Sequence, residues 1–174
     1  MLGELELKSL FAIALILALS ASIAVAEEHK YEVAGVFSFD YSDGWTKGPR
    51  KGGSATELDW LVYPPVPSAN FHAVLARADF SYDDWIKRTI KTATADRVLV
   101  SKGDFVTTSG EKGYKLVWSV KSPSGAQYVT NNYLFHGKGD TQVQLSGTVG
   151  VDDAEKFAPI FDGFAKSFTL IKSK

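Results

Sequence analysis

The stretch from Glu111 to Val149 restricts the fold more than any other part of the sequence, because it has the pattern of three consecutive antiparallel strands. The first strand alternates apolar with mostly polar side chains, which is the period of a pleated strand with one buried face. Its apolar positions are Tyr114, Leu116, Trp118 and Val120. The segments Lys121–Gly125 and Gly137–Asp140 contain the proline and glycines that tight turns need. The chain is therefore predicted to fold around an antiparallel β-meander.

An export signal is predicted at the N-terminus. Residues 10–19 are almost all apolar, and Ala24-Val25-Ala26 is a small-x-small cleavage site followed at once by polar residues. We expect cleavage after Ala26, so that residues 1–26 are a signal peptide and residues 27–174 form a single domain. The protein is then exported, to a periplasm, a lumen or the extracellular space, and is soluble after cleavage. Retention of the segment as a membrane anchor is the alternative.

The composition excludes several classes of function. Residues 1–26 hold one lysine and two glutamates, and removing them from the 19 basic and 20 acidic residues of the chain leaves 18 of each. This balance predicts no binding to nucleic acid and no attraction to an anionic membrane. The chain has no cysteine, which excludes disulfides, a thiol nucleophile, cysteine-ligated zinc and a lipidated cysteine.

Other strands are predicted before the meander. Their ranges are residues 37–41, 58–62, 71–78 and 98–107, the last of them broken near Lys102–Asp104. A loop is predicted over residues 46–54. Residues 71–78 are largely apolar at both alternating sets of positions, which predicts a strand that is covered on both faces.

Two helices are predicted. Ser81 is suited to an N-cap, and apolar residues recur at helical spacing from there to Ala93. Near the C-terminus, Asp152 and Glu155 have the spacing of a capping box. Pro159 predicts that the regular part of this second helix begins there, with proline in its first turn. Strands, helix, strands and helix in this order indicate an α+β fold.

Two segments resemble a known family. The segment Phe37-Ser-Phe-Asp-Tyr-Ser-Asp-Gly-Trp45 is similar to the opening signature of the PsbP and Mog1-like proteins, except that this family more often has proline at the position of Ser42. The closing residues from Phe161 to Phe168 resemble the terminal helix of the same family. The resemblance implies an α/β/α sandwich, in which helices cover both sides of a central, mainly antiparallel sheet of roughly six strands.

The resemblance also implies what such a domain does. Members of the family include an extrinsic lumenal subunit of photosystem II, a nuclear protein that binds a small GTPase, and exported bacterial proteins. They act by binding other proteins rather than by catalysis. Some plant members are suspected of binding metal through a histidine and an aspartate, whose positions correspond to Tyr128 and Asp152. Asp152 is thus a weak metal candidate whose histidine partner is missing.

No catalytic residue and no cofactor are predicted from the residues themselves. The histidines His29, His72 and His136 are far apart, which disfavours two metal ligands from one element. The best candidates for an acid–base pair are His136 with Asp140 and His72 with Asp79. A nucleophile elbow of the Gly-x-Ser-x-Gly type is absent from the sequence.

The predicted contacts with a partner lie in two loops and on one tryptophan. Residues 47–53 combine cations with glycines, a composition that can bind an anion or an acidic surface, and residues 64–68 form a proline-rich loop. The candidate contact residues are Lys47, Arg50, Lys51, Trp60 and Pro65. Trp85 and Trp118 are predicted to pack in the core.

The leading hypothesis is an exported, non-catalytic domain that binds another protein, such as an accessory or assembly subunit of a membrane-associated complex. The alternative is a carrier of a small molecule or metal ion in a pocket between sheet and helix. A hydrolase is the third hypothesis.

Overall fold

The computed structural model describes residues 28–33, 35–48, 57–77 and 79–171, and of residues 57–59 only the backbone. The predicted signal peptide, residues 1–26, lies outside this part of the chain. No helix in the described ranges has the length and apolar character needed to cross a membrane.

Seven strands form the main sheet. They are β3 (Thr46–Gly48), β4 (Glu57–Val62), β5 (Asn70–Arg77), β6 (Arg97–Val106), β7 (Lys112–Lys121), β8 (Gln127–His136) and β9 (Thr141–Gly150). Their order across the sheet is β3-β4-β5-β9-β8-β7-β6, and every neighbouring pair is antiparallel. The predicted meander is confirmed as β7, β8 and β9. Its two turns contain Gly125 and Gly139, whose positive φ angles of 88° and 61° suit glycine.

A second, smaller sheet contains the two ends of the described chain. Its strands are β1 (Glu28–Val33), β2 (Phe37–Ser42) and β10 (Thr169–Leu170), in the order β1-β2-β10. The sequence analysis did not predict β1, because polar residues dominate this segment. Tyr31 nevertheless lies opposite Phe39 in β2 and stacks on its ring at 4.9 Å.

The first helix, α1 (Tyr82–Ile90), begins as predicted. The Ser81 hydroxyl accepts a hydrogen bond from the Asp84 backbone N–H at 3.1 Å, which satisfies one of the free amides at the helix start. The helix ends at Ile90, before the predicted Ala93. It packs on one face of the main sheet, where Leu116, Trp118 and Leu134 are fully buried beneath its apolar side chains.

The second helix, α2 (Ala154–Lys166), follows a 3₁₀ turn over Val151–Asp153. The prediction that it begins at Pro159 is wrong, because five helical residues precede the proline. Pro159 removes only the hydrogen bond to the Glu155 carbonyl, and both residues are exposed, so that water can reach this carbonyl. The predicted capping box is also wrong, since the N-cap is Asp153 and its side chain makes no capping bond.

The main core lies between the main sheet, α2 and the smaller sheet. It is strongly aromatic, with four buried phenylalanines from α2 and the residues after it, and Trp45 against three of them. These phenylalanines are Phe157, Phe161, Phe164 and Phe168. Helices thus cover both sides of an antiparallel sheet, which confirms the predicted α+β sandwich with one strand more than expected.

Two predictions about single strands need correction. The strand over 71–78 is β5, and only one of its faces is fully covered: Phe71 and Ala73 are buried, whereas His72 and Val74 are partly exposed on the opposite face. The strand over 98–107 is β6, which continues through Gly103 in register with Lys115. Its irregularity lies instead between Leu99 and Ser101, where the strand carries an extra residue.

Substitution of Gly147 by alanine is expected to destabilise the protein. A Cβ atom at this position would lie 2.4 Å from Cγ of Phe161 in α2, closer than packed carbon atoms can approach. Overpacking of this kind costs about 1–3 kcal/mol, which urea unfolding of the purified protein would measure.

Gly163→Ala is the matched control. Gly163 lies in α2, and a Cβ there would meet no atom within 4 Å. Alanine in a helix interior is expected to raise the free energy of unfolding by about 0.5–1 kcal/mol. A Gly147→Ala variant at least as stable as the wild type would contradict the packing of α2 on β9.

Candidate binding surfaces

A polar area covers the part of the main sheet that lies beside α1. It consists of side chains of β5, β8 and β9 that point away from the aromatic core, and we call it the polar face. Its members are Asn70, His72, Thr130, Asn132, Gln142, Gln144, Ser146 and Thr148. The register of the strands places His72, Ser146 and Asn132 side by side. Hydroxyls, carboxamides and an imidazole therefore converge where a second apolar layer would otherwise be expected.

Hydrogen bonds between these side chains fix their positions. Gln144 Nε2 donates to Ser146 Oγ at 2.9 Å, and Ser146 Oγ donates to Asn132 Oδ1 at 3.0 Å. The hydroxyls of Thr130 and Thr148 form a separate bond of 3.0 Å. A network of this kind holds polar groups in one arrangement before any ligand arrives.

His72 is held against Trp60. The two rings are parallel to within 8°, with their centroids 4.3 Å apart. Nδ1 of His72 is buried and has no hydrogen-bond partner in the described part of the chain. Burial lowers the pKa of His72 from 6.5 to about 4, because the charged imidazolium loses its hydration. The ring is therefore neutral at physiological pH.

Buried polar atoms without a partner concentrate on this side of the sheet. Among the described residues six such side-chain atoms occur, and all belong to residues on the α1 side. They are Trp60 Nε1, Asn70 Oδ1, His72 Nδ1, Arg97 Nε, Trp118 Nε1 and Gln142 Oε1. The Arg97 guanidinium lies over the Trp118 ring at 4.4 Å, and burial lowers the pKa of Arg97.

A cavity of about 250 Å³ opens on the polar face. Residues from five strands surround it: His72, Arg97, Val120, Thr130, Asn132, Gln144 and Ser146. Among the described residues, Arg97 is the only charged one in this lining, and none of them contributes a carboxylate to it.

A larger groove of about 590 Å³ lies between α1 and the strands β6 and β7. We call it the α1 groove. Apolar side chains of α1, among them Ile86 and Ile90, face Val106 and Tyr114 across it. The rim carries charges of both signs, namely Asp83, Lys87, Lys102, Asp104 and Lys112.

The α1 groove runs beside an open sheet edge. β6 is the last strand of the main sheet, and in the described part of the chain it pairs only with β7, apart from an isolated bridge between Arg97 and Thr94. Val98, Val100 and Val106 of this strand are exposed, Val106 to 55%. A long strand with exposed apolar side chains is a typical site for the addition of another strand.

The structure separates the residues that the sequence nominated for partner contact. Lys47 is exposed in β3, so the predicted loop over residues 46–54 is wrong for its first three residues, which pair with β4. The Lys47 ammonium lies 5.3 Å from the centroid of the Tyr31 ring. Arg50 and Lys51 lie outside the described residues. Pro65 is exposed in the loop between β4 and β5.

Trp60 differs from these contact candidates. Its indole stacks on His72, and its Nε1 is one of the unpartnered buried atoms. The sequence analysis therefore selected Trp60 as a contact for a protein partner, whereas the structure places it beside the polar face.

The suggested acid–base and metal residues do not come together. His136 Nδ1 contacts the Gly137 carbonyl at 2.6 Å, and His29 Nε2 contacts Asp43 Oδ1 at 2.8 Å. No ion pair joins His72 to Asp79 or His136 to Asp140 in the part of the chain that the structure describes. Asp152 is exposed in the 3₁₀ turn, and within the described ranges no group of three or more metal-binding side chains forms.

Sequence reasoning missed the polar face. The alternating residues Gln142, Gln144, Ser146 and Thr148 have the pattern of a solvent-exposed face, so they drew no attention. The signal that could have revealed it is the presence of polar residues at corresponding positions of β8 and β9, with a histidine in the otherwise apolar β5.

Comparison with known proteins identifies the fold. No protein-family profile and no curated protein sequence matches the chain. Among solved structures, cyanobacterial PsbP (CyanoP) from Synechocystis is similar with a TM-score of 0.61 at 17% identity, covering 86% of this chain and 96% of that protein. LpqN of Mycobacterium tuberculosis, a protein involved in cell envelope biogenesis, has a TM-score of 0.60 at 13% identity, with coverages of 85% and 92%.

The yeast Ran-binding protein Mog1p is a further similar structure. Its TM-score is 0.56 at 11% identity, and the match covers 84% of this chain and 97% of Mog1p. These likenesses confirm that the chain has the PsbP/Mog1-like fold that its sequence resembles. At such identities they establish the fold alone.

The buried His72 predicts a pH dependence of stability. The unfolded chain takes up a proton at His72 near pH 6.5, whereas the folded protein does so only near pH 4. The stability contributed by the neutral ring is present above pH 6.5 and is lost as the pH falls towards 4. Between pH 7 and pH 5 the free energy of unfolding should fall by about 2 kcal/mol more in the wild type than in His72→Gln.

Urea unfolding at both pH values measures this difference. His136→Gln is the control, because it removes a histidine whose side chain is exposed rather than buried. Equal pH dependence of the wild type and His72→Gln would refute the burial of a neutral imidazole.

Proposed function

We propose that this protein is a binding domain that captures an extended segment of another protein along the edge of β6. The observation that carries the proposal is the combination of a ten-residue edge strand, whose edge is bridged only at Arg97 in the described part of the chain, with the α1 groove directly beside it. An added strand would form main-chain hydrogen bonds with β6, and its apolar side chains would enter the groove.

The exposed valines of β6 favour a protein as the occupant. Natural sheets usually protect an edge with charges, proline or a covering segment. In β6 the bulge between Leu99 and Ser101 and the charge of Lys102 give partial protection, but Val98, Val100 and Val106 remain exposed. Contact with a partner would remove this apolar surface from water.

The charged rim indicates what kind of segment would fit. Lys102 and Asp104 of β6 are among the residues that line the groove, together with Asp83 and Lys87 of α1. A partner segment with one or two apolar anchors flanked by charged residues would complement both the floor and the rim. Alternating charges of this kind would fix the register of the added strand.

The similar structures support a binding role without assigning a partner. Mog1p is a Ran-binding protein with the same fold, so this fold can present a surface to another protein. The predicted export signal would place the partner outside the cytoplasm, for example in a membrane-associated complex. A second contact region is proposed around Lys47 of β3 and Pro65, at the opposite edge of the sheet from β6. Arg50 and Lys51, which follow β3 in the sequence, are proposed to belong to it.

Val106→Glu should weaken partner binding by about tenfold or more, because a carboxylate would have to enter the apolar groove. The free energy of unfolding should change by less than about 0.5 kcal/mol, since the side chain is 55% exposed. The measurement is capture from soluble and membrane fractions of the native host, with the protein tagged at its C-terminus, gently cross-linked and analysed by quantitative mass spectrometry.

Val151→Glu is the matched control, because Val151 is exposed to 48% in the 3₁₀ turn outside the groove. A protein captured by the wild type and by Val151→Glu but lost with Val106→Glu supports the β6 edge. A protein captured equally by all three, and lost only on charge reversal at Lys47, Arg50 and Lys51, would reject the β6 edge in favour of the second region.

A further inference from the structure

The cavity on the polar face is lined by partly exposed polar side chains. Nδ1 of His72 and Nε of Arg97 have almost no accessible surface, whereas other parts of the Arg97, Thr130 and Gln144 side chains are partly exposed in the lining. A ligand in the cavity would meet these exposed groups.

The remaining lining determines which groups the ligand needs. Thr130 contributes a partly exposed hydroxyl and Gln144 a partly exposed carboxamide, and both kinds of group can donate and accept, whereas Ser146 and Asn132 are buried behind them. A ligand that only donates or only accepts could not match this mixture. Hydroxyl groups match it best, because each one can both donate and accept a hydrogen bond.

Arg97 adds a requirement for negative charge. In the described part of the chain, no carboxylate lies within ion-pair distance of its guanidinium and none lines the cavity. The ring of Trp118 supports the guanidinium from one side but does not neutralise it. Arginine binds carboxylates and phosphates through paired N–H donors, so an oxyanion is the group that would complete this site.

The size of the cavity limits the ligand. A volume of about 250 Å³ is below the range of about 300–1,000 Å³ that is typical of sites for drug-sized ligands. We propose that this cavity binds a hydroxylated organic oxyanion of monosaccharide size, with its anionic group on Arg97 and its hydroxyls on Thr130 and Gln144.

The network behind the cavity suits this role. Gln144, Ser146 and Asn132 are already linked by hydrogen bonds of 2.9 and 3.0 Å, so that binding requires little reordering of side chains. Stacking on Trp60 fixes the neutral His72 ring at the side of the cavity. Apart from Arg97, which begins β6, the site lies on other strands than the β6 edge, and it does not depend on the protein-binding proposal.

The test is a titration of the isotope-labelled protein followed by NMR, with glucuronate, glucose and acetate as probes. Glucuronate combines the carboxylate with hydroxyls, whereas each of the other probes has only one of these features. We expect glucuronate to shift the side-chain amide signals of Asn132 and Gln144 with a Kd of about 1 mM or tighter. Glucose and acetate should bind at least about tenfold more weakly.

Arg97→Gln should abolish the preference for glucuronate over glucose. Arg88→Gln is the matched control, because the Arg88 guanidinium also lies over an aromatic ring, that of Phe80 at 4.3 Å, but does not line the cavity. Gln144→Leu provides a second variant that leaves Arg97 on Trp118, and it should weaken glucuronate binding while leaving acetate binding unchanged.

Two results would overturn the proposal. One is the absence of any shift at Asn132 and Gln144 with glucuronate in the folded wild type. The other is a glucuronate affinity that is unchanged in both Arg97→Gln and Gln144→Leu, which would place the probe elsewhere on the protein.

Discussion

The packing of α2 against Gly147 in β9 is the contact on which the rest of the structure depends. Phe161 lies so close to the backbone at this position that any side chain would displace it. Trp45, which follows β2, packs edge-on against Phe157, Phe161 and Phe164, with ring centroids 5.3–6.1 Å apart. The contact therefore sets the distance between helix and sheet and lets the smaller sheet close over the same core.

The residues after α2 extend this core to both sheets. Phe168 stacks on Phe135 of the main sheet at 4.2 Å and contacts Phe37 of the smaller sheet at 5.5 Å. Asp162, on another side of the helix, accepts hydrogen bonds from Tyr133 Oη at 2.6 Å and Lys115 Nζ at 2.5 Å. Burial and the bond to this carboxylate raise the pKa of Tyr133, so the phenol stays protonated as the donor.

Most of the large buried aromatic residues pack on the α2 side of the main sheet. The described residues cover the opposite side only partly. α1 has nine residues, none of them fully buried, and it covers only the area around Trp118. The Tyr82 hydroxyl fastens the helix by donating to the Leu134 carbonyl at 2.6 Å. The polar face and the α1 groove lie on either side of this short helix, so both candidate surfaces arise from the same incomplete layer.

The sequence predicted what local periodicity determines. The meander, the Ser81 cap and the core positions of Trp118 and the α2 phenylalanines follow from spacing alone. The bulge in β6 and the helical turn before Pro159 could not be predicted from spacing, because they depend on tertiary contacts. The polar face escaped prediction because Ser146 and Gln144 read as solvent-exposed residues in a single strand. Only the register of β5, β8 and β9 shows that their polar side chains meet around one cavity.

The separation of the core from the candidate surfaces also explains why a shared fold says little about a shared ligand. The aromatic core and Gly147 hold the two sheets together, whereas His72, Ser146 and Asn132 lie on the other side of the main sheet. Residues on that side can change without repacking α2, so proteins of this fold are free to differ there. What this chain binds must therefore be inferred from its own residues, and the most specific of them is Arg97, which has no carboxylate partner among the residues that the structure describes.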